Sequence, residues 1–153
     1  MTAAELIAAA RAKGVRIAAA ESCTGGMIMA ALTDIAGASD VVDRGFVTYS
    51  NTAKTEMLGV HPQTLSAFGA VSEETAAEMA SGAYHRSNAQ IAVSVTGIAG
   101  PGGSDFKPEG RVCFGLASAA GTRTETVEFG ALGRPGVRAA SVAHALKLIA
   151  AAL

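Results

Sequence analysis

The chain has 153 residues, of which half are hydrophobic and only 16% charged, and its net charge is −1. That length holds one domain, over 1–153, with a real core, and a near-neutral balance without a basic run speaks against a nucleic-acid groove. No apolar run reaches the length of a membrane span and no signal peptide is visible; two cysteines, Cys23 and Cys113, call for neither a disulfide nor a metal pair, which suits a reducing cytoplasm.

Thr2-Ala3-Ala4-Glu5 forms a capping box and Gly14 is a helix stop, so a first helix lies between them. Val15-Arg16-Ile17-Ala18-Ala19-Ala20 reads as a buried strand. The turn 22–26 joins it to a helix that begins at Met27 and is expected to end near Gly37, with 38–40 as loop. Residues 41–50 read as extended, since Phe46, Val47, Thr48 and Tyr49 are strand formers. Asn51 then caps a short helix closed by Gly59, and Pro62 opens another closed by Gly69. Ser72-Glu73-Glu74 starts a longer helix with Ala76, Met79, Ala80 and Ala83 as its apolar stripe.

Residues 91–96 form a second buried strand that runs into Gly97-Ile98-Ala99-Gly100-Pro101-Gly102-Gly103-Ser104, a glycine density that suits only a loop in close approach to something, or a flap. Residues 110–119 and 122–129 are two strands of an antiparallel hairpin with Gly121 between them. Gly133-Arg134-Pro135 opens a last helix whose Val142, Ala145, Leu146, Ile149 and Leu153 share a face. The expected fold is a three-layer α/β domain around a mixed, mostly parallel sheet of about five strands.

Ligands bind at the carboxyl ends of strands in such sheets. Two loops lie there, 22–26 and 96–104, and a third strand end carries Tyr49 with Lys54 one helical turn on. The 22–26 turn exposes a small nucleophile, and it directs free N–H groups and a positive helix end to the same point, where an oxyanion can be held. Ser22 and Thr24 also suit a plain N-cap role. No histidine stands in these loops, which argues against a Ser-His-Asp triad, and His61, His85 and His144 lack metal-ligand spacing and suit surface positions.

A neutral lysine can take a serine's proton, which makes Lys54 the base for Ser22, with Tyr49 as relay or orienting group. Cys23 is the rival nucleophile, because a thiol at a helix N-terminus acidifies. Alternation puts Ser22 and Cys23 on opposite sides of the strand end, and Cys23 is expected to be the buried one. Arg134 and Arg138, four apart, suit a clamp on phosphate or carboxylate, with Lys107 as a further positive contact. Glu21 is expected to be structural, bonding backbone N–H groups.

Ala20-Glu21-Ser22-Cys23-Thr24-Gly25-Gly26, Gly45-Phe46-Val47-Thr48-Tyr49-Ser50-Asn51 with Ala53-Lys54, Gly69-Ala70-Val71-Ser72, and Val95-Thr96-Gly97-Ile98-Ala99-Gly100-Pro101-Gly102-Gly103 with Lys107-Pro108 resemble, in order, the signature blocks of the CinA C-terminal domain family. The resemblance spans nearly the whole chain. It implies a three-layer α/β/α sandwich that forms dimers or larger homo-oligomers, in a stand-alone form without a preceding nucleotide-binding domain. It also implies hydrolysis of nicotinamide mononucleotide to nicotinate mononucleotide and ammonia, with no cofactor and no metal, nucleic-acid or membrane partner. Carried over by position, it makes Ser22 the nucleophile with Lys54 and Tyr49 as partners. The oxyanion and substrate contacts then fall to Thr24, Gly25, Gly26, Thr96, Gly97, Gly100, Gly102, Gly103, Lys107, Arg134 and Arg138. The chain departs from the pattern at Ser104-Asp105-Phe106, about a residue short, and at Glu109, where a small apolar residue is common. The alternative is a module of the same fold that binds a nucleotide or phosphate without catalysis.

Overall fold

Thr2 and Gly14 bound the first helix, α1 (Ala3–Lys13), in a computed structural model that describes residues 1–153. The capping box is complete, and Gly14 adopts the left-handed conformation that ends a helix. Then follow β1 (Ile17–Glu21), α2 (Met27–Thr33), β2 (Val42–Val47), α3 (Asn51–Leu58), α4 (Pro62–Phe68), α5 (Glu73–His85), β3 (Ile91–Gly97), β4 (Arg111–Ser118), β5 (Gly121–Glu128) and α6 (Arg134–Ala152).

The five strands lie in the order β2-β1-β3-β4-β5. β1 is parallel to β2 and β3, whereas β4 is antiparallel to both β3 and β5, so β4 alone runs against the other four. The sheet is therefore mixed, with the expected hairpin at one edge.

Alternation along β1 sorts the two cores. Ile17 and Ala19 face Leu6 of α1, Ile28 and Leu32 of α2, and Val137 and Ile149 of α6. Ala18 and Ala20 face the other way, toward Leu58 of α3 and Met79, Ala80 and Ala83 of α5. Helices thus cover both faces, giving three layers. Small residues on the second face let α5 lie close to its neighbours. An added Cβ at Gly82 would stand 2.0 Å from the Leu58 carbonyl oxygen, and one at Gly115 of β4 would stand 2.5 Å from that of Ala76. No helix is long and apolar enough to cross a membrane.

Several boundaries differ from expectation, four of them with a visible cause or consequence. β2 ends at Val47 rather than at residue 50, because Glu21–Val47 is the last pair that five-residue β1 offers, and 48–50 have no strand to join. That early exit releases Tyr49 toward the sheet's carboxyl edge. Ser50, not Asn51, caps α3, its hydroxyl accepting from the Ala53 N–H at 3.0 Å. α2 stops at Thr33, four residues before Gly37, and a 3-10 turn (Ala38–Asp40) replaces the expected loop. Gly121 belongs to β5 and pairs with Ser118.

Gly82→Ala tests the close packing of α5. Alanine favours an exposed helix over glycine by about 1 kcal/mol, yet here it meets backbone. The expected result is a net loss of about 1–3 kcal/mol, read as a lower denaturant midpoint with an unchanged slope.

Candidate active site

Ser22 stands one residue past the end of β1, and the strand's alternation carries on into the turn. Glu21 points to the α2–α6 side and Ser22 to the α3–α5 side, with Cys23 back in the first core. Ser22 is 7% exposed and its N–H is held by the Val95 carbonyl of β3 at 3.0 Å. The side chain it meets comes from α3: Lys54 Nζ lies 3.0 Å from Ser22 Oγ. Lys54 Nζ also donates to the Tyr49 carbonyl oxygen at 3.0 Å. Lys54 is 1% exposed and is the largest fully buried side chain of the chain. No carboxylate shares its burial by hydrogen bond or ion pair. Loss of water therefore favours the neutral amine and brings the Lys54 pKa down from 10.5 to about 8.

Cys23 takes the opposite course from its expected acidification. Burial pushes its thiol up to about 11, which leaves little thiolate at neutral pH. The first turn of α2 is meanwhile taken by another group. Glu21, fully buried, accepts from the N–H groups of Ile28 at 2.9 Å and Met29 at 3.1 Å, and from the Thr24 hydroxyl at 2.6 Å. The positive end of α2 is thus occupied by an acid from β1, on the face of the sheet away from Ser22. This fulfils the structural role expected of Glu21 and corrects the expectation of a helix end free to hold an anion. Within the turn, the Gly25 N–H is spent on the Ser22 carbonyl, whereas the N–H groups of Thr24 and Gly26 donate no hydrogen bond inside the chain.

A cavity of about 220 Å³ opens beside the Ser22–Lys54 pair. It gathers seven of the residues named from sequence: Ser22, Tyr49, Lys54, Thr96, Gly97 and Arg134, together with the rival Cys23. Tyr49 is 60% exposed, and its hydroxyl accepts from Arg134 Nη2 at 2.8 Å rather than reaching Lys54. It is the Tyr49 carbonyl that orients the lysine, so a relay through the phenol has no geometric basis. Arg134 Nη1 donates to the Gly100 carbonyl at 2.8 Å, which leaves the guanidinium exposed across the cavity mouth. Buried Thr96 donates its hydroxyl to the Ala70 carbonyl at 2.7 Å, holding the cavity wall together.

The remaining named residues stand elsewhere. Arg138 Nε donates to the Cys23 carbonyl at 3.0 Å and Nη2 to that of Thr24 at 3.4 Å; it braces the 22–26 turn from behind and does not line the cavity. Lys107 Nζ donates to the Phe68 and Val71 carbonyls, pinning the glycine-rich loop to the α4–α5 corner, and lines a different surface cleft. Thr24, Gly25, Gly26, Gly100, Gly102 and Gly103 shape the two loops without lining the cavity. Gly103 admits no side chain, since a Cβ there would stand 2.4 Å from the Lys107 carbonyl oxygen.

Sequence reasoning missed Asn51 and Asp105 as cavity residues. Asn51 is freed because its neighbour Ser50 takes the cap; two adjacent residues both suited to capping were the only signal. Asp105 reaches the cavity through a two-residue tip, Asp105 and Phe106 both at positive φ, closed by a Ser104–Lys107 bridge. No residue pattern announced that tip. His144 is also not a solvated histidine: half-buried, it packs 4.6 Å from Phe114 between ring centroids, and its Nε2 lies 2.6 Å from Glu125.

A sequence profile of the CinA C-terminal domain matches residues 1–153. The chain is 60% identical over 114 residues to the nicotinamide-nucleotide amidohydrolase PncC of Enterobacter agglomerans, covering 74% of this chain and 70% of that one. It is 48% identical over 142 residues to the protein of the same name from Escherichia coli (strain K12), covering 92% and 86%. A CinA-like protein of Chlorobium phaeobacteroides is 55% identical over 121 residues, which span 76% of this chain but 29% of that longer relative. Among solved structures, the competence/damage inducible protein CihA from Agrobacterium tumefaciens superposes with a TM-score of 0.94 at 50% identity, covering 97% of this chain and 92% of that one.

The lowered Lys54 pKa has a stability signature. Between pH 8 and 10.5 the unfolded chain holds a proton on this lysine that the folded chain lacks, so native stability rises with pH across that window. Lys54→Met removes the group. Its stability advantage over the natural protein is expected to be largest below pH 8 and to shrink by about 1.4 kcal/mol per pH unit toward 10.5. Paired chemical denaturation curves at pH 7, 9 and 10 check this.

Proposed function

The chain belongs to the CinA C-terminal domain family, and on that premise we propose that it hydrolyses the carboxamide of nicotinamide mononucleotide, giving nicotinate mononucleotide and ammonia. The observation that carries the reading is the buried Lys54 amine 3.0 Å from Ser22 Oγ. A lysine without a buried counter-ion destabilises a fold, and its placement against a serine hydroxyl, with its pKa brought down to about 8, suits a base for that hydroxyl. Relatives named nicotinamide-nucleotide amidohydrolase, at 48% and 60% identity, supply the substrate.

The proposed chemistry is as follows. Neutral Lys54 donates to the Tyr49 carbonyl and turns its lone pair to the Ser22 hydroxyl. Ser22 Oγ attacks the carboxamide carbon as its proton passes to Lys54 Nζ. The oxyanion turns toward the backbone at the start of the 22–26 turn, where Ser22 and Cys23 line the cavity. Lys54 is now an ammonium with three donors; two go to the Tyr49 carbonyl and Ser22 Oγ, and the third protonates the departing amide nitrogen. Ammonia leaves an acyl-Ser22 ester. Water, deprotonated by the again neutral Lys54, attacks that ester; as the C–O bond to Ser22 breaks, Lys54 returns the proton to Ser22 Oγ and the acid is released. Arg134 spends two of five N–H donors on Gly100 and Tyr49, and the others are available for the substrate phosphate at the cavity mouth. Tyr49 serves through its carbonyl and as a brace for Arg134.

Ammonia release from nicotinamide mononucleotide is the deciding experiment; no release by the folded protein contradicts the reading. Ser22→Ala is expected to lower kcat by about a thousandfold or more, while Cys23→Ala keeps most of the activity. Lys54→Arg is expected to be nearly inactive, because arginine keeps the charge but cannot act as a base. The rate should rise with pH through about 8, where Lys54 loses its proton, and then level off. A flat profile with an active Lys54→Arg variant would place the base elsewhere.

For Arg134→Ala, affinity for the mononucleotide is expected to fall by about ten- to a hundredfold, the worth of a hydrogen bond to a charged group. Affinity for nicotinamide riboside, which lacks the phosphate, should change far less.

A further inference from the structure

Glu109 does not line the cavity, yet its carboxyl group joins the parts that form the cavity mouth. Oε1 accepts from the Gly102 N–H at 2.7 Å, and Oε2 accepts from the Gly133 N–H at 2.9 Å. One carboxyl thus ties the glycine-rich loop to the residue that begins α6. The same group fills the space over Gly100, where an added Cβ would stand 2.6 Å from the Glu109 carboxyl carbon. Both neighbours matter to Arg134. Gly133 precedes it in the chain, and the Gly100 carbonyl accepts from its Nη1 at 2.8 Å. The other end of the guanidinium rests on the Tyr49 hydroxyl, whose residue orients Lys54 through its carbonyl.

We propose that Glu109 is a positioning residue for substrate recognition: it fixes both the backbone origin and the carbonyl seat of Arg134, and so aims that guanidinium at the phosphate of a nucleoside monophosphate. The proposal rests on the function read above. Its physical content is preorganisation. A long arginine side chain on an exposed helix start otherwise loses rotamer freedom when it grips an anion, and a guanidinium already seated loses less. An acid at the start of α6 is also favoured by the helix dipole, which strengthens the clamp.

The test is a double-mutant cycle on Glu109 and Arg134, read in steady-state kinetics with nicotinamide mononucleotide and nicotinamide riboside. Glu109→Ala is expected to raise KM for the mononucleotide by about tenfold, leave kcat within about twofold, and leave KM for the riboside nearly unchanged. In an Arg134→Ala background the same change should have almost no further effect, because its target is gone. Glu109→Gln keeps one acceptor and should shift KM in the same direction by less, which preserves the test if the alanine variant folds poorly. Equal effects on the two substrates, additive effects in the cycle, or a fall in kcat at constant KM would overturn the role. If the natural protein releases no ammonia from the mononucleotide, the proposed function itself fails and this role with it; if it does and the cycle is additive, only Glu109 is reassigned.

Discussion

Everything at this site depends on a lysine amine held out of water against a serine hydroxyl. Two residues at the end of one strand arrange it. Glu21 and Ser22 follow each other, so their side chains leave β1 on opposite faces. Glu21 turns inward to the first turn of α2 and satisfies two of its N–H groups. That bond fixes the start of the helix and the shape of the 22–26 turn, with Arg138 bracing the turn's carbonyls from the other side. Ser22 is thereby presented to α3. A slip of one residue in β1 would exchange the two, burying a carboxyl against Lys54 and a hydroxyl against α2.

The remaining elements serve the lysine. β2 stops when its partner strand stops, so the chain turns away at Thr48 and places the Tyr49 carbonyl within reach of Lys54 Nζ. Ser50 starts α3 one residue earlier than its neighbour would, which sets Lys54 in the first turn pointing at the sheet edge. The apolar contacts of α3 and α5 with the alanine face of β1 close over the stem. Burial is not compensated by a counter-ion, and this imbalance brings the amine's pKa down to about 8, so that the neutral form becomes abundant as the pH rises to 8 instead of to 10.5. Under the proposed chemistry, stability is given up at the place where a base is needed, a pattern common to sites that run base catalysis near neutral pH.

Much of this was legible in the sequence because the relevant signals are local. The capping box at Thr2, the glycine stops and the strand-to-helix turn at 22–26 each depend on a few adjacent residues. Alternation separated Ser22 from Cys23, and the usual burial of free cysteines assigned the interior to the thiol. The expected exposure of Ser22 is corrected, since it is 7% exposed against 5% for Cys23, both buried where the turn packs under α3 and β3. What escaped the sequence depends on contacts between distant segments. Lys107 and Arg138 are cations near glycine loops, and nothing in their neighbours says that backbone carbonyls, rather than solvent or a ligand, will take up their donors. Glu21 was readable as a backbone acceptor, but not that it would occupy the helix end thought to be open. Asp105 reaches the cavity only because a tip at positive φ turns it there. His144 looked solvated on its own helix and is covered by aromatic rings from β4 and the segment after β5.

The central claim is that Lys54 is neutral in the folded protein near the pH at which it works. Side-chain carbon NMR of lysine-labelled protein reads this directly, with Lys54 assigned by its absence in Lys54→Met. The account predicts a titration midpoint near 8 for Lys54, well below the ordinary lysine value of about 10.4. A Lys54 midpoint at or above 10 would contradict it, because a lysine charged throughout the working range cannot take the proton of Ser22.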